Sequence, residues 1–173
     1  MVAYKSSAIA SFLRSPSPDC RAVLVYGPDA GLVAERASAL AQVFARKGPG
    51  ETEIVRLDDR DLGEDPARLE VELRTRPMFA ARNVVRLAAG ARLDVPSLKT
   101  LLAEPFDNPL IVEAGNLRPD SGLRKLFESN KNAAALPCYS DERTLSALID
   151  TELAQAGLSI DNEARTYLMT RLG

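Results

Sequence analysis

The sequence predicts an α/β fold, a five-stranded, mostly parallel sheet flanked by helices and followed by the first helices of a small helical domain. Three observations predict it. Five short apolar runs alternate with segments of helical spacing, the pattern of an open sheet covered on both faces. The first run, Ala22-Val23-Leu24-Val25-Tyr26, has no polar alternation, as expected of a strand buried on both sides. At Ser140 the strand pattern stops and two helical stretches follow back to back.

The elements follow in order. Ser7 to Leu13 reads as a short helix ended by Ser15-Pro16-Ser17-Pro18, and Gly27-Pro28-Asp29 closes the first strand. Leu32, Val33, Arg36, Leu40, Val43 and Phe44 keep helical spacing until Lys47-Gly48-Pro49-Gly50. Glu53 to Leu57 is the second strand. Asp65-Pro66 then offers a cap residue and an N1 proline for a helix through Leu69, Leu73 and Arg74, which Pro77 ends. Asn83 to Leu87 is the third strand and Val95 to Glu104 the next helix, with Leu98, Leu101 and Leu102 on one side. Pro109 to Glu113 is the fourth strand, Ser121 to Ser129 a helix, and Ala133 to Leu136 a weak fifth strand.

Beyond this point Ser140 is the expected N-cap of a helix with Asp141 and Glu142 in its first turn and Leu145, Leu148, Ile149 and Leu153 as its apolar stripe. A second helix is expected from about Asp161, with Ala164, Tyr167, Leu168 and Leu172 turned inward. The expected domains are therefore 1–140 and 141–173. Two helices bury little surface by themselves, so the chain is expected to be a piece of a longer protein.

Composition narrows the function. With 173 residues, 46% hydrophobic and 27% charged, the chain supports one good core and a smaller appendage. A net charge of −2 supplies no general attraction to nucleic acid. The chain has no histidine, the residue most used for acid-base work and metal ligation. Cys20 and Cys138 stand far apart and in no metal-ligand spacing, so they read as small buried apolar residues. Neither a cofactor nor a metal site is predicted. No run approaches the roughly 18 apolar residues that span a bilayer, and no apolar segment follows a basic N-terminus. A cytoplasmic protein without membrane contact is expected.

The turn after the first strand is where a phosphate-binding loop would lie. Such a loop reads Gly-x-x-x-x-Gly-Lys-Ser/Thr, its backbone N–H groups converging on phosphate and its lysine neutralising charge. Here the segment is Gly27-Pro28-Asp29-Ala30-Gly31-Leu32-Val33. Counted from Gly31 as the second glycine, Leu32 and Val33 stand where lysine and hydroxyl belong, and Asp29 brings a negative charge. The chemistry that would anchor a triphosphate is missing. Gly27, Asp29 and Gly31 read instead as a turn glycine, a helix cap and a glycine for close strand-helix packing. No Asp-Glu pair follows the third strand, which ends in Ala88-Ala89-Gly90, and Asp58-Asp59 reads as a solvated cluster at a helix start.

An ordered set of segments carries a resemblance: Leu24 to Val33, Arg76-Pro77-Met78-Phe79 through Leu87, Leu110 to Asn116, Leu123 to Glu128, and the helix from Ser140. Together they resemble the delta subunit of the bacterial DNA polymerase III clamp loader over essentially the whole chain. That resemblance implies an AAA+-like α/β domain with a degenerate phosphate loop, a helical lid, and a collar domain absent from this chain. It implies a role in DNA replication in which the subunit binds the beta sliding clamp and opens it for loading onto primed DNA without hydrolysing ATP itself. The implied partners are the clamp, the ATP-hydrolysing and delta-prime subunits joined through the collar, and primed DNA within the assembled complex.

The resemblance further implies that the clamp is gripped by a large aliphatic residue followed by Phe ahead of the third strand, here Met78 and Phe79 on the turn begun by Pro77. Many relatives carry Leu at the position of Met78, a swap that conserves volume but loosens shape. A thioether and an aromatic on a proline-stiffened turn suit a partner's apolar pocket, with Arg76 and Arg82 as a polar rim. On residue pattern alone, the same pair serves equally well as a plug in its own core. Arg118, Arg124 and Lys125 read as a solvated helix face, with DNA or a neighbouring subunit as the other option. Two rivals stay open. One is a nucleotide hydrolase with an atypical loop; the other is a delta-prime-like structural subunit, which would carry zinc-ligating cysteines.

Overall fold

The computed structural model describes residues 6–48, 50–139, 146, 149–150, 152–154 and 156–172, with the side chains of 6–8 and 172 left aside. The chain divides into two compact units, one ending at Cys138 and the next beginning at Tyr139.

In the first unit, strands β1 (Ala22–Tyr26), β2 (Thr52–Leu57), β3 (Arg82–Ala88), β4 (Leu110–Ala114) and β5 (Ala133–Pro137) form one sheet in the order β2-β3-β4-β1-β5. Every pairing is parallel, so the predicted fold class holds and the sheet is wholly parallel. Helices α1 (Ser6–Arg14) and α2 (Ala30–Arg46) cover one face; α3 (Asp59–Glu64), α4 (Arg68–Arg74), α5 (Val95–Ala103) and α6 (Gly122–Ser129) cover the other.

Strand alternation distributes the apolar residues between two cores. On β1, Leu24 and Tyr26 point to the face of α3 to α6, while Val23 and Val25 meet Ala37, Leu40 and Phe44 of α2. All five β1 residues are buried. Full burial of a side chain such as Leu24 contributes about 1.5–3 kcal/mol. Ala133 to Leu136, weak by sequence, form a complete strand, paired along its length with β1 and buried. The outermost strand, β2, is the least covered: Glu53, Ile54 and Arg56 are exposed.

One helix prediction is corrected. The segment after β2 forms two helices. Asp58 caps α3 in a capping box, accepting from the backbone of Arg60 and Asp61 while the Asp61 carboxylate accepts from Asp58 N. Asp65, predicted as an N-cap, also ends α3: its N–H donates to Asp61 O at 2.9 Å, while its carboxylate accepts from Ala67 N at 3.0 Å in the turn that leads into α4. The cause is Pro66, which pushes Asp65 into extended backbone and breaks the chain there, so α4 begins only at Arg68.

Arg86 of β3 is a charged residue in a buried strand. Its guanidinium meets the Glu113 carboxylate in a two-point pair at 2.8 and 2.9 Å, so neither charge is left alone in the interior.

In the second unit, a helical turn ends in a glycine cap. Gly157 has φ +67°, with Gly157 N donating to Ala154 O and Leu158 N to Leu153 O, the paired bonds of a Schellman motif. Helix α7 (Asn162–Leu172) follows, capped by the Asp161 carboxylate, which accepts from Ala164 N at 2.7 Å. Tyr167 was expected to face inward and is exposed instead; the Arg171 guanidinium lies 5.4 Å from its ring centroid and gives it a surface partner. The expectations for Ser140, Asp141, Glu142, Leu145 and Leu148 fall outside the described residues. No helix among the described residues is long and apolar enough to cross a membrane.

Candidate functional site

All strands run the same way, so the two candidate regions lie at opposite edges of the sheet. Gly27 to Gly31 follow β1 at its carboxyl edge, and Thr75 to Ala81 lead into β3 at its amino edge.

At the carboxyl edge the phosphate-loop position is occupied by the chain's own groups. The Asp29 carboxylate accepts from Leu32 N at 3.0 Å, and Val33 N donates to Asp29 O at 3.0 Å. The Leu32 amide is a first-turn N–H of the kind a phosphate would otherwise use, whereas Val33 N makes the first ordinary bond of the helix. Val33, at the hydroxyl position, is buried against the α2 face of the core, and Leu32 is half-buried beside it. Gly27 is required by space alone: a Cβ there would stand 2.1 Å from Cys138 O. The chain leaving β5 crosses directly over it, with Cys138 N donating to Tyr26 O at 2.7 Å. Gly31 corrects its expectation. It lies exposed in the first turn of α2, and an added Cβ would meet only Asp29 Oδ1 at 3.3 Å, so no strand packs there.

At the amino edge, Met78 and Phe79 are each 90% exposed, and Pro77 is half-buried at the base of their loop. Of the two uses the residue pattern left open, the plug in the chain's own core is thereby excluded. The loop's ends are pinned. Thr75 N donates to Val71 O at 2.8 Å, and Ala81 N to Glu51 O at 2.8 Å.

Between these ends sits Asn108, fully buried, which the sequence reading missed. Its Nδ2 donates to Glu72 O at 2.7 Å and to Thr75 O at 2.8 Å, and its Oδ1 accepts from Asn83 N at 3.0 Å. Its backbone N–H donates to Leu73 O at 3.2 Å. An asparagine between two helix-and-strand signals, next to Pro109, reads as ordinary loop; nothing in the residue string marks its side chain as internal.

The two arginines expected as a polar rim are placed differently. Arg76 is exposed and paired with Asp107 at 3.8 Å. Arg82 turns inward, donating to Phe44 O, with its Nε packed where a Cβ on Gly48 would stand 2.6 Å away. Among the basic residues of the far helix, Arg118 pairs with Asp120. Arg124 bonds Glu128 at 2.7 Å and lies 5.2 Å from the Tyr26 ring centroid, so it serves its own domain. Cys20 and Cys138 are both buried, and burial pushes the Cys20 thiol up to about 11 and raises that of Cys138. No group of three or more acidic, cysteine or histidine side chains among the described residues is placed to hold a metal ion.

No protein-family model matches the chain. It is 26% identical over 154 residues to a probable DNA polymerase III subunit delta of Rickettsia prowazekii, a match that covers 88% of this chain and 45% of that protein. The chain thus spans less than half the length of the curated relative it matches, and the likeness supports a delta-like assignment. Among solved structures, NtrX from Brucella abortus in complex with ADP aligns with a TM-score of 0.46 and 15% identity, over 98% of this chain and 46% of that one.

Proposed function

We propose that this chain is the front part of a clamp-loader delta-type subunit that grips a ring-shaped sliding clamp through Met78 and Phe79. The observation that carries the reading is the joint exposure of these two adjacent side chains on a loop whose ends are fixed. A soluble domain gains nothing for its own stability from a Met-Phe pair in water; a partner pocket that buries both recovers roughly 3–6 kcal/mol before the costs of association. Such paired anchors, one flexible and one aromatic, dominate interfaces out of proportion to their area.

The delta-like sequence supports the same reading. In it the chain makes and breaks no bond. Its binding energy stabilises an opened or strained ring, and the ATP cycle of neighbouring subunits controls when the ring closes on primed DNA. The remaining subunits are engaged through a collar domain outside this chain, and the assembly works in the cytoplasm. The two α/β and helical units correspond on this view to an AAA+-like domain and the start of its lid.

The test is capture of the sliding clamp from the same organism. Met78→Ala/Phe79→Ala is expected to weaken capture by at least a hundredfold, consistent with a hot spot of about 3 kcal/mol or more. The circular dichroism melt should be nearly unmoved, since neither side chain contributes to the core. Capture at unmodified affinity sinks the assignment. In parallel, calorimetric titration with Mg-ATP should give no specific heat, because the lysine and hydroxyl that anchor a triphosphate are absent and the Asp29 carboxylate already takes the Leu32 amide. Saturable micromolar binding would favour a nucleotide hydrolase instead.

A further inference from the structure

We infer that Asn108 is a positioning residue for the Met78-Phe79 anchor, clasping both flanks of the loop so that the pair is presented in one geometry. The inference rests on the clamp-binding reading of that loop. Helix α4 ends at Arg74, which leaves its last carbonyls without partners inside the helix. Asn108 supplies them from another segment: its backbone N–H takes Leu73 O, and its Nδ2 takes Glu72 O and Thr75 O. On the far side of the loop, β3 has begun at Arg82 whereas its neighbour β4 begins only at Leu110. No strand carbonyl is available to Asn83 N, and Asn108 Oδ1 takes that role. One planar amide therefore joins the exit of α4 to the entry of β3, with the anchor between them.

The chemistry selects asparagine. Two N–H donors and a carbonyl acceptor must leave one short side chain in one plane; aspartate lacks the donors, serine has one, and leucine has neither donor nor acceptor. Full burial keeps water from replacing these bonds, so losing them leaves carbonyls stranded in the interior. A second tie runs in parallel, from Asn83 Nδ2 to Glu72 Oε2 at 3.3 Å, with Glu72 held by Arg68 at 3.0 Å. Fixing both ends of a short exposed loop removes freedom that binding would otherwise have to remove, which is how preorganisation raises affinity.

Asn108→Asp keeps the acceptor and removes both donors, and Asn108→Ser keeps a single donor. Each variant is compared with the unmodified chain for affinity to the organism's sliding clamp by surface plasmon resonance, at a temperature where circular dichroism shows it folded. Hydrogen exchange is followed in the same samples. The expected result is an affinity loss of about tenfold or more, with exchange accelerated over residues 72–83 and unchanged along β1. Unchanged affinity in a folded variant, or acceleration spread evenly over the whole sheet, overturns the positioning role and leaves Asn108 a merely structural residue. Should Met78→Ala/Phe79→Ala keep full affinity, the clamp reading falls first and this inference with it. If neither variant folds, exchange in the unmodified chain decides: the Asn83 amide should exchange as slowly as those of β1, and fast exchange there overturns the clasp.

Discussion

At the carboxyl edge of the sheet the protein has turned its loop inward, and at the amino edge it has turned one outward. The turn after β1 bonds its own amides through Asp29, buries Val33, and lets the chain at Cys138 cross over Gly27. The loop before β3 does the opposite. It secures its ends through Asn108 and leaves Met78 and Phe79 in solvent. The carboxyl edge is where open parallel sheets ordinarily bind ligands. Here that edge serves as a structural brace, and the exposed apolar surface has moved to the other end. On the proposed reading, the site is located by what the fold leaves uncovered, and the position of a loop within a fold class is a weaker guide.

The comparison can be broken at each end. The largest expected effect is at the brace: Gly27→Ala places a methyl 2.1 Å from a backbone oxygen and should cost about 3 kcal/mol in a urea melt. Clamp capture by the folded fraction should be unaffected. A melt like that of the unmodified chain would mean the crossing at Cys138 is looser than described. Next, Asp29→Ala removes the α2 cap and should cost about 1 kcal/mol without creating affinity for nucleotide. A larger loss would give Asp29 a role beyond the cap.

The smallest effect uses the cysteines, one just ahead of β1 and one just past β5. Burial holds both thiols protonated in the folded protein beyond their usual value of 9.0, Cys20 up to about 11. Between those values the unfolded chain loses protons that the folded chain keeps, so stability is full below pH 9 and declines as pH rises toward 11. Urea midpoints measured on either side of pH 9 should record that decline, and an unchanged midpoint would show the thiols to titrate in the folded state as they do in the unfolded chain.

Much of the fold was legible because it rests on periodicity. Ala22 to Tyr26 could only be a doubly buried strand, and Leu32 to Phe44 only a helix seated on it. The absent lysine and hydroxyl at Leu32 and Val33 were equally plain, since a missing side chain is visible in a string of residues. Three features were not legible, each for a physical reason. Pro66 fits the first turn of a helix as well as a break between two, and only the competing cap at Asp58 decided between them. Gly31 looks like a packing glycine until its surroundings are known to be open. Asn108 depends on contacts made across 25 to 36 residues of chain, which no local pattern encodes. The exposure of Met78 and Phe79 belongs to the same class. Their composition suits a core or an interface, and only the ends of the loop, pinned at Glu51 and Asn108, turn them outward.

The uncovered outer strand has a consequence for life at high concentration. β2 presents one row of backbone donors and acceptors to solvent, an invitation for a second copy to add itself as a sixth strand. Glu53 and Arg56, both exposed along it, place charged side chains on that edge, so a copy in a register that sets like charges opposite one another is disfavoured. At the opposite margin β5 ends in Pro137, which has no N–H to offer. These features lie on the sheet's two margins, away from the exposed Met78-Phe79 loop, so on the proposed reading contact at that loop is made by side chains and not by backbone pairing.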